Sequence, residues 1–196
     1  MRLEEIKDKP VISIAEGHKL GEVQDALLDA SYLQVAALVV GGGGLFGGPK
    51  QAVEYNAVRG IGPDAVMVSG RDAIEEVTET SPLAAMHRAG EVDQAVMSES
   101  GVRLGKLDGV SFDPQSGAIT ALTLLPDSNS PLAGGDAYDI PRDHLLSITD
   151  KMAVVRHEFL EQAGGMPAAQ PYPPSGVIVG PHTYRDPATG TSQPPA

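Results

Sequence analysis

Apolar and polar positions alternate over short runs along most of this chain, and glycines punctuate the runs. Val11-Ile12-Ser13-Ile14 is a brief apolar run that ends at a turn signal, Glu16-Gly17. Leu20, Val23 and Leu27/Leu28 follow with polar residues between them, the spacing of a half-buried strand. Gln34 to Val40 is uncharged and strongly apolar, which predicts a buried central strand. Val53–Tyr55 and Ala65–Val68 complete the set. Gly17 and Gly21 are expected to supply a positive-φ turn and a bulge, backbones that glycine adopts at least cost. Short strands at regular spacing, with only brief helical stretches, predict a mainly β chain of small barrels.

The pattern then recurs. Gly17 to Leu38 lies over Gly101 to Leu122 at an offset of 84 without a gap. Gly17/Gly101, Leu20/Leu104, Gly21/Gly105, Asp29/Asp113, Ala37/Ala121 and Leu38/Leu122 are identical. These identities fall on turn glycines and on the apolar alternation, where a fold is specified. The match resumes at offset 87, with Val53 to Val68 over Ile140 to Val155. The three-residue difference falls in a loop, where insertions are tolerated. The chain therefore reads as a duplication with residues 1–70 as the first module, 71–92 as a linker, 93–161 as the second module and 162–196 as a tail. Ser81-Pro82 before "LAAMHRA" and Gly90 predicts a short helix over 82–89. A second short helix is predicted from Arg156 to Ala163, ended by Gly164-Gly165. The Pro/Gly-rich, nearly uncharged tail is expected to be disordered.

Gly17-x-x-Leu20-Gly21-x-Val23-x-Asp25, then Leu28-Asp29 and an apolar strand, resembles the PRC-barrel family. In the second copy Gly101, Leu104, Gly105 and Asp113 are followed by the family's apolar-Pro pair, Ile140-Pro141, with Leu145 and Ile148 behind it. Glu54 stands where the first copy should have that proline, and Gly109 where the second should have the counterpart of Asp25. The resemblance implies two six-stranded, barrel-like modules used as interaction platforms. It implies no catalytic residues, because the family motif contains none. The two modules are expected to pack as an intrachain pseudo-dimer, since exposed strand edges need covering.

Composition narrows the function classes. The chain has 196 residues, no cysteine and no tryptophan, so thiolate chemistry and disulfides are excluded. No apolar run approaches the ~20 residues that span a bilayer, and "MRLEEIKDKP" lacks a secretory apolar core. A soluble, cytoplasmic protein is expected. Net charge is −12, and residues 93–161 alone carry five basic against eleven acidic residues. No stretch is basic, so direct nucleic-acid binding is not expected, nor attraction to an anionic membrane surface.

Candidate chemistry is sparse. Gly41 to Lys50 looks like a phosphate loop only superficially, because Pro49 precedes the lysine and Gln51 follows it. It reads as a hairpin loop whose Leu45 and Phe46 are candidate docking residues. Asp127-x-Asn129 opens like a calcium loop, but Pro131 and Leu132 break the pattern. His18, His87, His144, His157 and His182 show no ligand spacing, so no metal or cofactor is expected. Tyr172, Pro173 and Pro174 in the tail could present a polyproline segment to a partner. The expectation is a non-enzymatic protein-binding scaffold. The resemblance also brings two rivals: an accessory factor in ribosome or RNA maturation acting through a ribosomal protein, and a peripheral subunit of a photosynthetic-type membrane complex.

Overall fold

The computed structural model describes residues 1–41 and 51–164. Two sheets hold almost all of the regular structure. The first is built from β1 (Pro10–Ser13), β2 (Lys19–Leu28), β3 (Val35–Gly41), β4 (Gln51–Glu54), β5 (Val58–Ile61), β6 (Val66–Val68), β7 (Ile74–Glu76) and β8 (His87–Arg88). The second contains β9 (Ala95–Ser98), β10 (Arg103–Phe112), β11 (Ile119–Pro126), β12 (Tyr138–Pro141), β13 (Leu145–Ile148) and β14 (Met152–Val155). Among the described residues one short α-helix, α1 (His157–Gln162), follows the second sheet. Among the described residues no helix is long and apolar enough to cross a membrane.

The strand order of the second sheet, β12-β11-β10-β9-β14-β13, repeats the order β4-β3-β2-β1-β6-β5 of the first. In each six-strand unit, one ten-residue strand (β2, β10) forms a long hairpin with its successor, and the first and last strands (β1 with β6, β9 with β14) pair in parallel. Gly21 and Gly105 sit at equivalent points of the long strands. A Cβ at Gly21 would lie 2.5 Å from the Gly41 carbonyl oxygen, and one at Gly105 would lie 2.0 Å from that of Leu125. Only glycine lets the hairpin partner come that close. Gly21 is thus required by proximity and not by a left-handed backbone, which occurs instead at Gly17 (φ +69°) and Gly101 (φ +82°).

Side chains from both sheets share one core. Val23, Leu28 and Leu38 belong to the same buried cluster as Leu107, Phe112 and Leu122. A second, smaller cluster lies on the outer face of the first sheet, where Leu27, Ala37, Val39 and Ala52 are capped by Leu83. The equivalent outer positions of the second sheet are Ser111, Ala121, Thr123 and Asp139. That face is more polar, which fits a strap of chain across the back of the first sheet and, among the described residues, none across the second.

The strap replaces the helix expected over 82–89. Pro82–Ala85 forms a 3-10 turn capped by the Ser81 hydroxyl, His87–Arg88 is strand β8, and Ala89–Glu91 is another 3-10 turn. A helix of eight residues is marginal on its own. Laying Leu83 over the outer cluster and pairing the backbone of His87 and Arg88 with Leu28 and Leu27 outweighs local propensity. Residues 71–92 therefore contribute β7 and β8 to the first sheet. The helix expected over 156–163 forms as α1, with Phe159 and Leu160 buried and Gly164 at φ +78° beyond it. The candidate docking residues Leu45, Phe46, Tyr172, Pro173 and Pro174, and the tail from residue 165, lie outside the described residues.

Candidate interaction site at the seam between the sheets

The turn between β2 and β3 meets the turn between β10 and β11. Gln34 forms an antiparallel bridge with Ala118, its own counterpart at offset 84. On either side the Val35 N–H donates to the Gly117 carbonyl (2.8 Å) and the Ile119 N–H donates to the Leu33 carbonyl (2.9 Å). Each bond is the image of the other under the repeat offset, so a pseudo-twofold axis passes through this bridge.

Both turns are tied by the aspartates singled out in the repeat. The Asp29 carboxylate accepts from the Leu33 and Gln34 N–H groups and from the Ser31 hydroxyl. Asp113 accepts from the Gln115 and Ser116 N–H groups and the Ser116 hydroxyl. Partial burial pushes Asp29 up, but the bonds from Ser31, Gln34 and Leu33 outweigh it and hold the carboxyl below its ordinary value. The bonds from Ser116 and Gln115 hold Asp113 low as well. Their role is to fasten the turns.

Two tyrosines lock the seam. Tyr32 is buried with an unusual φ of +54°, stacks on His87 at 4.4 Å, and its hydroxyl accepts from Gln94 Nε2 at 2.9 Å. Tyr55 packs edge-on to Phe112 and donates to the Pro114 carbonyl at 3.0 Å. Burial, with the Asp113 charge added, pushes the Tyr55 hydroxyl up to about 12.

At the far side of the seam each half lends an arm to the other. The Met1 ammonium donates to the Phe112 carbonyl (3.0 Å), the Phe112 N–H returns a bond to the Met1 carbonyl (2.9 Å), and Arg2 bridges Ser111. Reciprocally, β8 pairs with Leu27 and Leu28, the counterparts of Ser111 and Phe112. The two arms share a pattern, Arg2-x-x-Glu5-Ile6 and Arg88-x-x-Glu91-Val92, at offset 86. This short motif was the available signal for a part of the repeat that the glycine alignment misses.

Each arginine meets an acid, but from a different strand. Arg88 Nε lies 3.2 Å from Asp25 Oδ2. Asp25, Val39 and Ala52 form one cross-strand row, equivalent to Gly109, Thr123 and Asp139. Arg2 Nη2 donates to both Asp139 oxygens at 3.0 and 2.9 Å. The acid has changed ends of the row, so Gly109 and Asp25 differ without loss of the ion pair. Glu54 and Pro141 occupy matching positions with φ −58° and −59°. Strand β7 covers the edge beside Glu54, whereas β12 ends its sheet and a proline there blunts the edge.

Between the arms lies an open cleft of about 360 Å³, lined by Glu4, Asp25, Glu91 and Asp108 with Lys7. Among the described residues no group of three or more histidine, aspartate or glutamate side chains is placed to hold a metal ion. Asp127, read in the calcium-like loop, is paired with Arg103 at 2.7 Å. Leu104 is buried and Leu20 partly so, as core-side positions of the motif.

Residues 1–74 match the PRC-barrel domain. The matched segment runs from the N-terminal arm through β6 to the first residue of β7, and so contains one full six-strand order. Within this matched segment Gly17, Gly21 and Asp29 serve the turn, the hairpin approach and the seam, Leu20 packs against the core, and Asp25 receives Arg88. No curated protein matches the chain.

Proposed function

We propose that the chain is a non-enzymatic, cytoplasmic scaffold of two PRC-barrel modules that presents duplicated surfaces to a protein partner. The observation that carries this reading is the reciprocal pairing of Leu33–Val35 with Gly117–Ile119. It joins two sheets of the same strand order through a common core and holds their outer surfaces in a constant relation. The second module is assigned to the same family as the first on strand order and repeat, as duplication followed by divergence. The site residues support the fold: Asp29 and Asp113 tie turns, and Asp25 and Asp139 receive arginines. None is placed as an activated nucleophile would be.

The test is chemical cross-linking and capture from the native lysate with the full chain and with a version ending at Gly164, followed by binding measurements on purified components. A protein that binds both versions saturably supports the scaffold reading. If no protein does, and the chain instead turns over or binds small molecules in a screen, the reading fails.

A further inference from the structure

The two sheets end in four strands, β5 and β7 in the first and β12 and β13 in the second. Three of them carry exposed charge: Arg59 on β5, Glu75 and Glu76 on β7, and Asp139 beside Pro141 on β12. Charge and proline on an open edge discourage pairing with a further strand. β13 reads Leu-Leu-Ser-Ile and has neither. Its equivalent in the first sheet is β5, and the same bulge occurs in both, leaving over Arg59 in one and Leu146 in the other. Leu146 is 43% exposed. Among the described residues nothing pairs with the outer side of β13. An uncharged apolar edge of this kind is a template for one more strand.

We infer that Val177-Ile178-Val179 of the same chain adds as a strand to the open edge of β13. Position, length and chemistry select this occupant. The Arg156 N–H donates at 2.9 Å to the carbonyl of His144, the residue before β13, and the rings of His144 and Phe159 lie 6.1 Å apart. α1 is about 9 Å long, so the chain leaves the described fold at Gly164 within one short helix of β13. Residues 165–176 then span at most about 40 Å, ample to return to that edge. A tether of this length holds the segment near β13 at an effective concentration on the order of millimolar. Gly176 and Gly180 bound the run, with Pro174 before it and Pro181 after it, so the strand it can offer is as short as β13 itself. All three side chains are β-branched and apolar, which suits a pleated surface and lets either face of the added strand lie beside Leu146. No Asp, Glu, Lys or Arg occurs between residues 165 and 184, so the pairing buries no charge. The first half of the chain runs on from β6 into β7 instead, and its edge strand β5 carries Arg59. The half that is followed by such a segment is the half whose edge lacks a charge.

Amide hydrogen exchange read by NMR tests the assignment on the full chain, on a version ending at Gly164 and on the full-length Ile178→Pro variant. Exchange across residues 146–148 is expected to be at least about threefold slower in the full chain than in the other two, with the inner amides of β14 unchanged. The difference is expected to be the same at about 10 and about 500 µM, because the added strand belongs to the same molecule. Equal exchange in all three proteins overturns the inference. Protection that grows with concentration overturns it in favour of a second copy. Protection lost on shortening the chain but kept in Ile178→Pro overturns the assignment to Val177–Val179, since proline removes the central N–H of that strand.

Discussion

Gln34 pairs with Ala118, the residue that occupies its own place in the other half of the chain. A self-paired position can exist only on a symmetry axis. The flanking backbone bonds and the common core then make each sheet part of the other's folding problem. The two halves are expected to unfold in one transition, with calorimetric and van't Hoff enthalpies equal and a single rotational correlation time in NMR relaxation. Two separable transitions, or two correlation times, would show that the seam does not couple them.

The arginines of the two arms should differ in weight. Arg2 and Asp139 are both about half exposed, whereas the Asp25 side chain is 11% exposed. Arg2→Ala is expected to cost little, as for a solvated pair. Arg88→Ala leaves a nearly buried carboxylate with only the Gly90 and Ala26 N–H donors, and is expected to cost about 1–3 kcal/mol. Chemical denaturation of both variants gives the ranking, and equal losses would refute it.

Glycine substitutions should show what close approach adds to a positive φ, which Gly101 (+82°) and Gly105 (+156°) share. Gly101 has φ +82° and open space around its Cβ position, so Gly101→Ala is expected to cost about 1 kcal/mol. At Gly105 the obstacle is the Leu125 carbonyl itself, so alanine must push two strands apart. Gly105→Ala is expected to lose several times more stability, about 3 kcal/mol or more. Comparable melting temperatures for the two variants would contradict this.

Stability should fall at both ends of the pH scale for identifiable reasons. Asp29 and Asp113 are held below the ordinary carboxylate value of 3.8, so their turn bonds stabilise the fold above that pH and are lost as pH falls through the lower folded values. Asp29→Asn and Asp113→Asn should flatten the acid limb of a stability–pH curve. Tyr55 is raised from 10.0 to about 12, so its contribution is complete below pH 10. Between pH 10 and 12 the unfolded chain ionises first and stability drops. Burial raises the Tyr32 hydroxyl as well, so Tyr55→Phe should reduce that alkaline slope, and an unchanged slope would assign it to other groups.

The strand alternation, the turn glycines and the recurrence of one strand order were legible because each rests on local chemistry repeated at a constant offset. Gly17 and Gly101 mark left-handed turns that a sequence can signal by itself. The strap over Leu27 and Leu83 was not legible, because its helix-like start gives no sign of the apolar outer face waiting for it. The exchanged arms were half legible: Arg2-x-x-Glu5-Ile6 and Arg88-x-x-Glu91-Val92 repeat, but which sheet each arm joins is a matter of packing.

What the sequence by itself determined was therefore the local pattern: short strands, their order of apolar faces, and the recurrence of that order along the chain. Period-two burial and positive-φ glycines act over a few residues and need no partner to be read. Only the tertiary structure decided how the units meet. The swap of the acid from Asp25 to Asp139 and the meeting of Gln34 with Ala118 depend on residues distant in sequence sharing one place in space. Local pattern carries no information about that distance.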